Sequence, residues 1–250
     1  MRDRQKAARI FDDSYEIFAA DPLEPGCLEE ALHGCVGVHI SLPTEIEQQV
    51  AETAAEVTRR YAVERITYIS GRTVSEKNCW FPMVKHKFLA EKAIQESGVP
   101  YTIFCPTWIM ESLPLFVRQG QASVLGKQAV PFHWVAAQDL ACMVANAYIL
   151  KEAANRRILV MGPEAIRMQE ALQRYCAVFH PEIKSVTRMP LWLVKMLAAV
   201  TGNRELKGVG EMMSYFEKVG EGDSQPLDGS ILGAPTTTLD RWLQARKAAA

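Results

Sequence analysis

Apolar positions along the chain fall into strand-like runs and helix-like stripes. The β-branched and aromatic runs at 65–70 and 101–106 are the length of buried strands, and between them 81–97 carries Val84, Phe88, Ala90 and Ile94 on a helical repeat. Ser97-Gly98-Val99-Pro100 then ends that helix, with glycine just past its last turn and proline beyond. A strand, a helix and a strand follow, and strands joined by a crossover helix lie parallel with a right-handed connection. In open sheets of this kind ligands bind beyond the carboxyl ends of the strands, so the residues after Ser70 and after Pro106 are the ones to watch.

The same patterning extends both ways. Upstream, 2–11 reads as the first turns of a helix or a loop entering one, 15–21 as a strand, and Pro25 opens a short helix through Glu29-Glu30-Ala31-Leu32 that stops at Gly34. A second buried strand is expected over 36–42. Thr44 is the expected N-cap of a helix running to about Arg60, with Glu47 three residues on completing a capping box. Downstream, a helix is expected around 111–119, strands near 123–125, 130–135, 157–161 and 184–189, and helices over 136–150, 165–179 and 236–248. The apolar 191–200 and the methionine- and aromatic-rich 207–219 complete a helical cap, and the methionines of 189–213 read as core rather than pocket. The fold class is α/β, a Rossmann-like, mostly parallel sheet with a C-terminal helical cap. The expected division is 1–160 for the domain that holds the sheet and 161–250 for a C-terminal cap region packed on it.

Composition narrows the partners. With 28 basic and 29 acidic residues and a net charge of −1, the 250-residue chain carries no electrostatic footprint for nucleic acid or an anionic membrane. No apolar run approaches the roughly 20 residues of a membrane span, and the N-terminus is charged rather than signal-like. Six cysteines lie far apart without a CxxC pair, which argues against zinc or a disulfide framework and for a reduced, cytoplasmic compartment. No metal site is expected.

Three spaced motifs carry a resemblance: Lys87-x3-Glu91-x2-Ile94; Ser97-Gly98-Val99-Pro100-Tyr101-Thr102-Ile103; and Pro106-Thr107-Trp108-Ile109-Met110-Glu111. With Pro131-Phe132, Val135 and Asp139-Leu140-Ala141 further on, residues 2–165 resemble the NmrA-like branch of the atypical short-chain dehydrogenase/reductases. The resemblance implies a Rossmann fold that binds NAD(P), with some members reductases and others redox-sensing regulators without turnover. It also exposes an omission. The family's opening strand, glycine-rich turn and helix, on which the pyrophosphate rests, has no counterpart here, so the chain is expected to start where the first β-α-β unit has ended, leaving the sheet N-terminally incomplete.

Site residues are carried over position by position. Reductases of the superfamily pair a tyrosine with a lysine four residues on, so that the lysine holds the ribose and lowers the tyrosine's pKa. Met83-x3-Lys87 fits the flanking motifs, and Phe81-x3-Lys85 is the competing register; neither supplies a tyrosine hydroxyl. The expected catalytic residues are Lys87 and Ser70, with Ser70 or solvent as proton source. The resemblance places Arg2, Arg4, Asp21, Ser41, Leu42, Ser70, Gly71, Lys87, Pro106 and Thr107 against the dinucleotide. It places Trp108, Met110 and His133 at the substrate pocket. Cys105 stands where the family usually has arginine, which weakens any anion contact there, and Asp139 reads as a helix N-terminal acid.

The leading expectation is an NAD(P)H-dependent reductase of a small carbonyl or quinone, with NADP(H) preferred and NAD(H) the alternative. A second is a non-catalytic dinucleotide sensor that binds another protein. A third is a truncated chain with no nucleotide binding. Partners are then a small molecule or a protein, with no nucleic acid or membrane, and an oligomer is compatible with all three.

Overall fold

A computed structural model of the chain describes residues 4–24, 26–61, 63–222 and 229–249. The elements in order are α1 (Arg4–Ala8), α2 (Cys27–Leu32), β1 (Gly37–Ile40), α3 (Thr44–Thr58), β2 (Arg65–Ile69), α4 (Pro82–Glu96) and β3 (Tyr101–Pro106). Then come β4 (Val117–Arg118), β5 (Gln121–Leu125), β6 (Phe132–His133), α5 (Ala137–Ile149), β7 (Arg156–Val160), β8 (Ala165–Ile166) and α6 (Met168–Phe179). The chain finishes with β9 (Val186–Met189), α7 (Leu191–Thr201), α8 (Arg204–Val219) and α9 (Leu239–Ala248). The principal sheet has the order β1-β2-β3-β7, and β1 runs parallel to β2 from Gly37 opposite Arg65 to Ile40 opposite Tyr68. This is the expected α/β architecture.

Two compact units form. The first comprises Met1–Ser70, Val74–Ile103 and Lys151–Arg156; the second comprises Gly71–Thr73, Phe104–Leu150 and Arg157–Ala250. In the first, α3 and α4 pack together, and the sheet buries Val38, Ile40, Ile66, Tyr68 and Ile103 with Val50, Ala54, Val84, Ala90 and Ile94 from the helices. Helix α4 starts with Pro82 at its first position, where a missing N–H costs nothing, and ends at Ser97 with Gly98 left-handed at φ 76°. The second unit has its own core, in which Met110, Leu113, Val124, Phe132, Trp134, Met168, Leu172, Val194, Met213, Leu239 and Trp242 meet. There β5 pairs parallel with β9 and antiparallel with β4, and β6 pairs antiparallel with β8.

Three expectations are corrected. Residues 15–21 form no strand; Tyr15 is 59% exposed and Phe18 38%. A strand needs a hydrogen-bonding neighbour, and among the described residues β1 forms the edge of the sheet with its outer side open. The helix expected around 111–119 is instead a 3-10 helix, Met110–Phe116, with Pro114 inside it lacking the N–H that an α-helix would use. Pro43, not Thr44, holds the N-cap position of α3, and no side chain caps that end. Glu47 therefore makes no capping box. The expected helix start at Pro25 lies outside the described residues.

Candidate functional site

In the first unit the end of β2 carries a buried charge cluster. Glu47 reaches inward from α3 at 1% exposure, and Lys87 reaches it from α4 with Nζ 2.8 Å from Glu47 Oε2. Lys87 Nζ also donates to the Ile69 carbonyl at 3.3 Å and lies 5.6 Å from the centre of the Tyr68 ring. An ammonium has three donors, and two are used among the described residues, which leaves one for a ligand. Glu47 Oε1 is buried and has no hydrogen-bond partner among the described residues. A buried carboxylate oxygen without a donor costs free energy, and a hydroxyl group arriving from outside would relieve it. A fixed cation and an unsatisfied acceptor side by side match a ribose diol, whose hydroxyls both accept and donate. Nothing among the described residues supplies a glycine-rich cradle for a pyrophosphate. Lys85, the competing register, is exposed.

Ser70 follows β2 at 4% exposure, and its hydroxyl donates to Glu91 Oε1 from α4. Glu91 is itself 5% exposed, so the hydroxyl is committed to an internal partner rather than offered to a substrate. Ser41 is exposed and Leu42 half-buried after β1, and Asp21 Oδ1 accepts the Leu23 N–H at 3.1 Å in an ordinary turn. Arg4 opens α1. Arg2 lies outside the described residues.

The second unit gathers a different set after β3. The Pro106 carbonyl accepts the Arg72 N–H at 3.0 Å, and Gly71 O accepts from Arg157 Nη2 at 3.4 Å. Thr107 Oγ1 donates to the His133 carbonyl. His133 Nδ1 lies 2.7 Å from Glu221 Oε2, and its own N–H donates to Glu221 Oε1 at 2.5 Å. Arg72 Nε donates to the Glu221 carbonyl at 2.7 Å. One glutamate is thus held by the backbone and ring of His133 and by an arginine. Gly162 makes this possible from behind: its N–H donates to the His133 carbonyl at 3.3 Å, and a Cβ there would stand 1.7 Å from Trp134 O.

Around them Trp108 sits among Phe116, Phe132, Trp134 and Phe216, with ring centroids 5.0 to 6.2 Å away. Its buried Nε1–H has no acceptor among the described residues. Met110, expected at the pocket, is 1% exposed and belongs to the core, because the first turn of the 3-10 helix points it inward. Among the described residues no group of three metal-ligating side chains forms, and no helix is long and apolar enough to cross a membrane.

The structure brings Lys87 together with Glu47, and Thr107 together with His133. Sequence reasoning missed Glu47, Glu91, Arg72 and Glu221 as partners. Arg72 carried a signal, since it stands three residues past the end of β2. Glu221 carried none, lying in what reads as an ordinary loop.

The chain is similar to proteins already known. A family model described as NAD(P)H-binding matches residues 1–147. An NAD(P)H azoreductase of Xenophilus azovorans is 24% identical over 262 aligned positions, covering 100% of this chain and 88% of that protein. The photosystem II assembly factor Ycf39 of Cyanophora paradoxa is 22% identical over 215 positions, 78% of this chain but only 64% of that protein's length. Among solved structures, the Citrobacter sp. triphenylmethane reductase complexed with NADP(H) superposes with a TM-score of 0.76 at 17% identity. The NADPH-dependent quinone oxidoreductase QOR2 of Escherichia coli, complexed with NADPH, gives 0.73 at 19%. Each covers 98% of this chain and 88% of its own. At these identities the structures establish a common fold.

Proposed function

The chain belongs to the NAD(P)H-binding family, and on that premise we propose that it is an NAD(P)H-dependent reductase of a small carbonyl or quinone. The observation that carries the reading is the Lys87–Glu47 pair at the end of β2, one donor and one acceptor short of satisfaction. Lys87 and Glu47 hold the ribose of the dinucleotide, and the bound cofactor supplies the hydride. Lys87 needs no rotamer search to do so, because Ile69 O and Glu47 already fix its ammonium. NADP(H) is the preferred form; the relatives whose names mention a cofactor are described with NAD(P)H, NADP(H) or NADPH. The aromatic cluster around Trp108 favours a flat, apolar substrate with an oxygen that can accept the free indole N–H.

The test is a titration of NADPH fluorescence followed by a screen of NADPH oxidation with quinones and aldehydes. Lys87→Ala alone would strand the buried Glu47 carboxylate at a cost of about 3–5 kcal/mol, so Lys87→Met/Glu47→Gln is the cleaner variant. The expected result is a loss of NADPH affinity of about tenfold to a hundredfold, the worth of a charge-assisted hydrogen bond. Unchanged affinity would remove the pair from the binding site. Binding without oxidation of any acceptor would favour the sensor reading instead.

A further inference from the structure

The second unit carries a cavity of about 640 Å³ that shares no lining residue with the Lys87–Glu47 pair or with the cluster around Trp108. Three cations line it, Lys127, Arg167 and Arg188, and among the described residues no hydrogen bond or ion pair engages their charged groups. Like charges gathered in a concavity raise the local potential and draw in anions. The carboxylate on the lining, Glu170, does little to offset them, because its Oε1 is already held by Arg174 Nη2 at 2.6 Å. A second carboxylate beside the turn, Glu217, accepts the Lys127 main-chain N–H at 2.7 Å and leaves the ammonium alone.

Local structure explains how the cations meet. Strands β5 and β9 run parallel with Val124 opposite Arg188 and Leu125 opposite Met189, and the Gly126 N–H donates to Met189 O at 2.9 Å. The turn that follows therefore carries Lys127 and Gln128 past the end of β5 beside Arg188. Arg167 holds the N-cap position of α6, and no side chain caps that end. An anion there meets uncapped N–H groups and the positive end of the helix dipole as well as the guanidinium.

Gln128 is an independent sign of a ligand. It is 3% exposed, and its Nε2 donates to Leu125 O at 3.1 Å and to Met213 O at 2.8 Å. Both amide donors are thus spent on the main chain, which fixes the carboxamide, and Oε1 is left buried without a donor among the described residues. Such an acceptor costs free energy until a hydroxyl reaches it. Gln169 and Gln173, four residues apart on one face of α6, offer two further carboxamides to the same cavity.

We infer that this cavity binds a polyhydroxylated phosphate monoester, of the chemical class of a sugar phosphate. Lys127, Arg167 and Arg188 take the phosphate, and Gln128, Gln169 and Gln173 take the hydroxyls. A bare phosphate would leave the three carboxamides unused, and a neutral sugar would leave the three cations unused. The inference goes beyond the reductase reading and does not depend on it.

The experiment is calorimetric titration of the full chain with glucose 6-phosphate, methyl phosphate and glucose, repeated in Arg167→Gln and Arg188→Gln and in the presence of saturating NADPH. Both arginines are exposed, so the variants are expected to melt as wild type does and to keep their affinity for NADPH. Glucose 6-phosphate is expected to bind about tenfold tighter than methyl phosphate, the worth of the added hydroxyl contacts, and each arginine variant to weaken it about tenfold. Glucose alone is expected to give no measurable heat, and NADPH to leave the glucose 6-phosphate affinity unchanged. No binding at millimolar glucose 6-phosphate, or binding indifferent to both arginine variants, overturns the site. Equal affinity for methyl phosphate overturns the part given to the carboxamides. Displacement of glucose 6-phosphate by NADPH overturns a separate ligand and assigns the cations to the cofactor's own phosphates.

Discussion

His39 shows how a single side chain ties stability to pH. It stands on β1, largely exposed, with Nδ1 2.8 Å from Thr67 Oγ1 on β2, and the partial desolvation of its ring pushes its pKa below the ordinary histidine value of 6.5, an effect that solvent at its open face keeps small. The folded state disfavours the charged ring, while the unfolded chain protonates it freely below about pH 6.5. Stability contributed by the neutral ring is therefore present above that pH and lost as pH falls through it. Urea midpoints measured on either side of pH 6.5 should drop on the acid side for wild type and drop less for His39→Gln; equal slopes would assign the acid sensitivity elsewhere. Other residues were legible in different degrees. The place of Lys87 on α4 could be read because the helix register is fixed by the glycine–proline stop that follows. Glu47 was read as a capping residue because Thr44-x2-Glu47 has the right spacing, whereas the inward face of α3 is decided by a lysine 40 positions away. Glu221 meets His133 across 88 residues, a separation that no local pattern encodes.

At the scale of elements, the pair α7 and α8 is set by a glycine. A Cβ on Gly210 would lie 2.9 Å from Val194 Cγ1, and Val194 is fully buried, so either its side chain or the helix must shift. The N-terminus of α8 is secured separately by Asn203 Oδ1, which accepts the Leu206 N–H at 3.0 Å. Gly210→Ala gains about 1 kcal/mol of helix propensity and loses about 1–3 kcal/mol to overpacking, so a net destabilisation of about 1 kcal/mol is expected in chemical denaturation. Gly210→Ala/Val194→Ala should recover the clash but open a cavity in its place. A single variant clearly more stable than wild type would show that the helices can move apart. Elements with internal periodicity were readable in advance: β2, α4 and β3 fall within a residue of their expected limits. Elements that depend on a neighbour were not. The run 15–21 has strand composition but no adjacent strand, and 111–119 has helical composition interrupted by Pro114.

For the molecule as a whole, ligand linkage gives the most direct check on family membership as a working property. NADPH at a hundred times its Kd should stabilise the folded chain by about 2.7 kcal/mol, which for a chain of this size raises Tm by about 5–10 °C. Differential scanning fluorimetry with NADPH and NADH would show it, and a flat response to both would leave the family's fold without its ligand. The α/β class was readable from the alternation of strand and helix patterns. The partition into units was not, because the second unit draws on three separate stretches, Gly71–Thr73, Phe104–Leu150 and Arg157–Ala250. Contact density, which defines a unit, is not a property of consecutive sequence.

The open side of β1 has a consequence for handling the protein. Its main-chain N–H and C=O groups form a short adhesive seam that any extended polypeptide could zip onto, and Val36, 69% exposed at its entrance, adds an apolar foothold. Pro43 follows three residues after Ile40 and the strand is only Gly37–Ile40, so the seam is about 13 Å long. A seam of that length is expected to associate weakly, so light scattering should rise as the chain is concentrated and fall again on dilution.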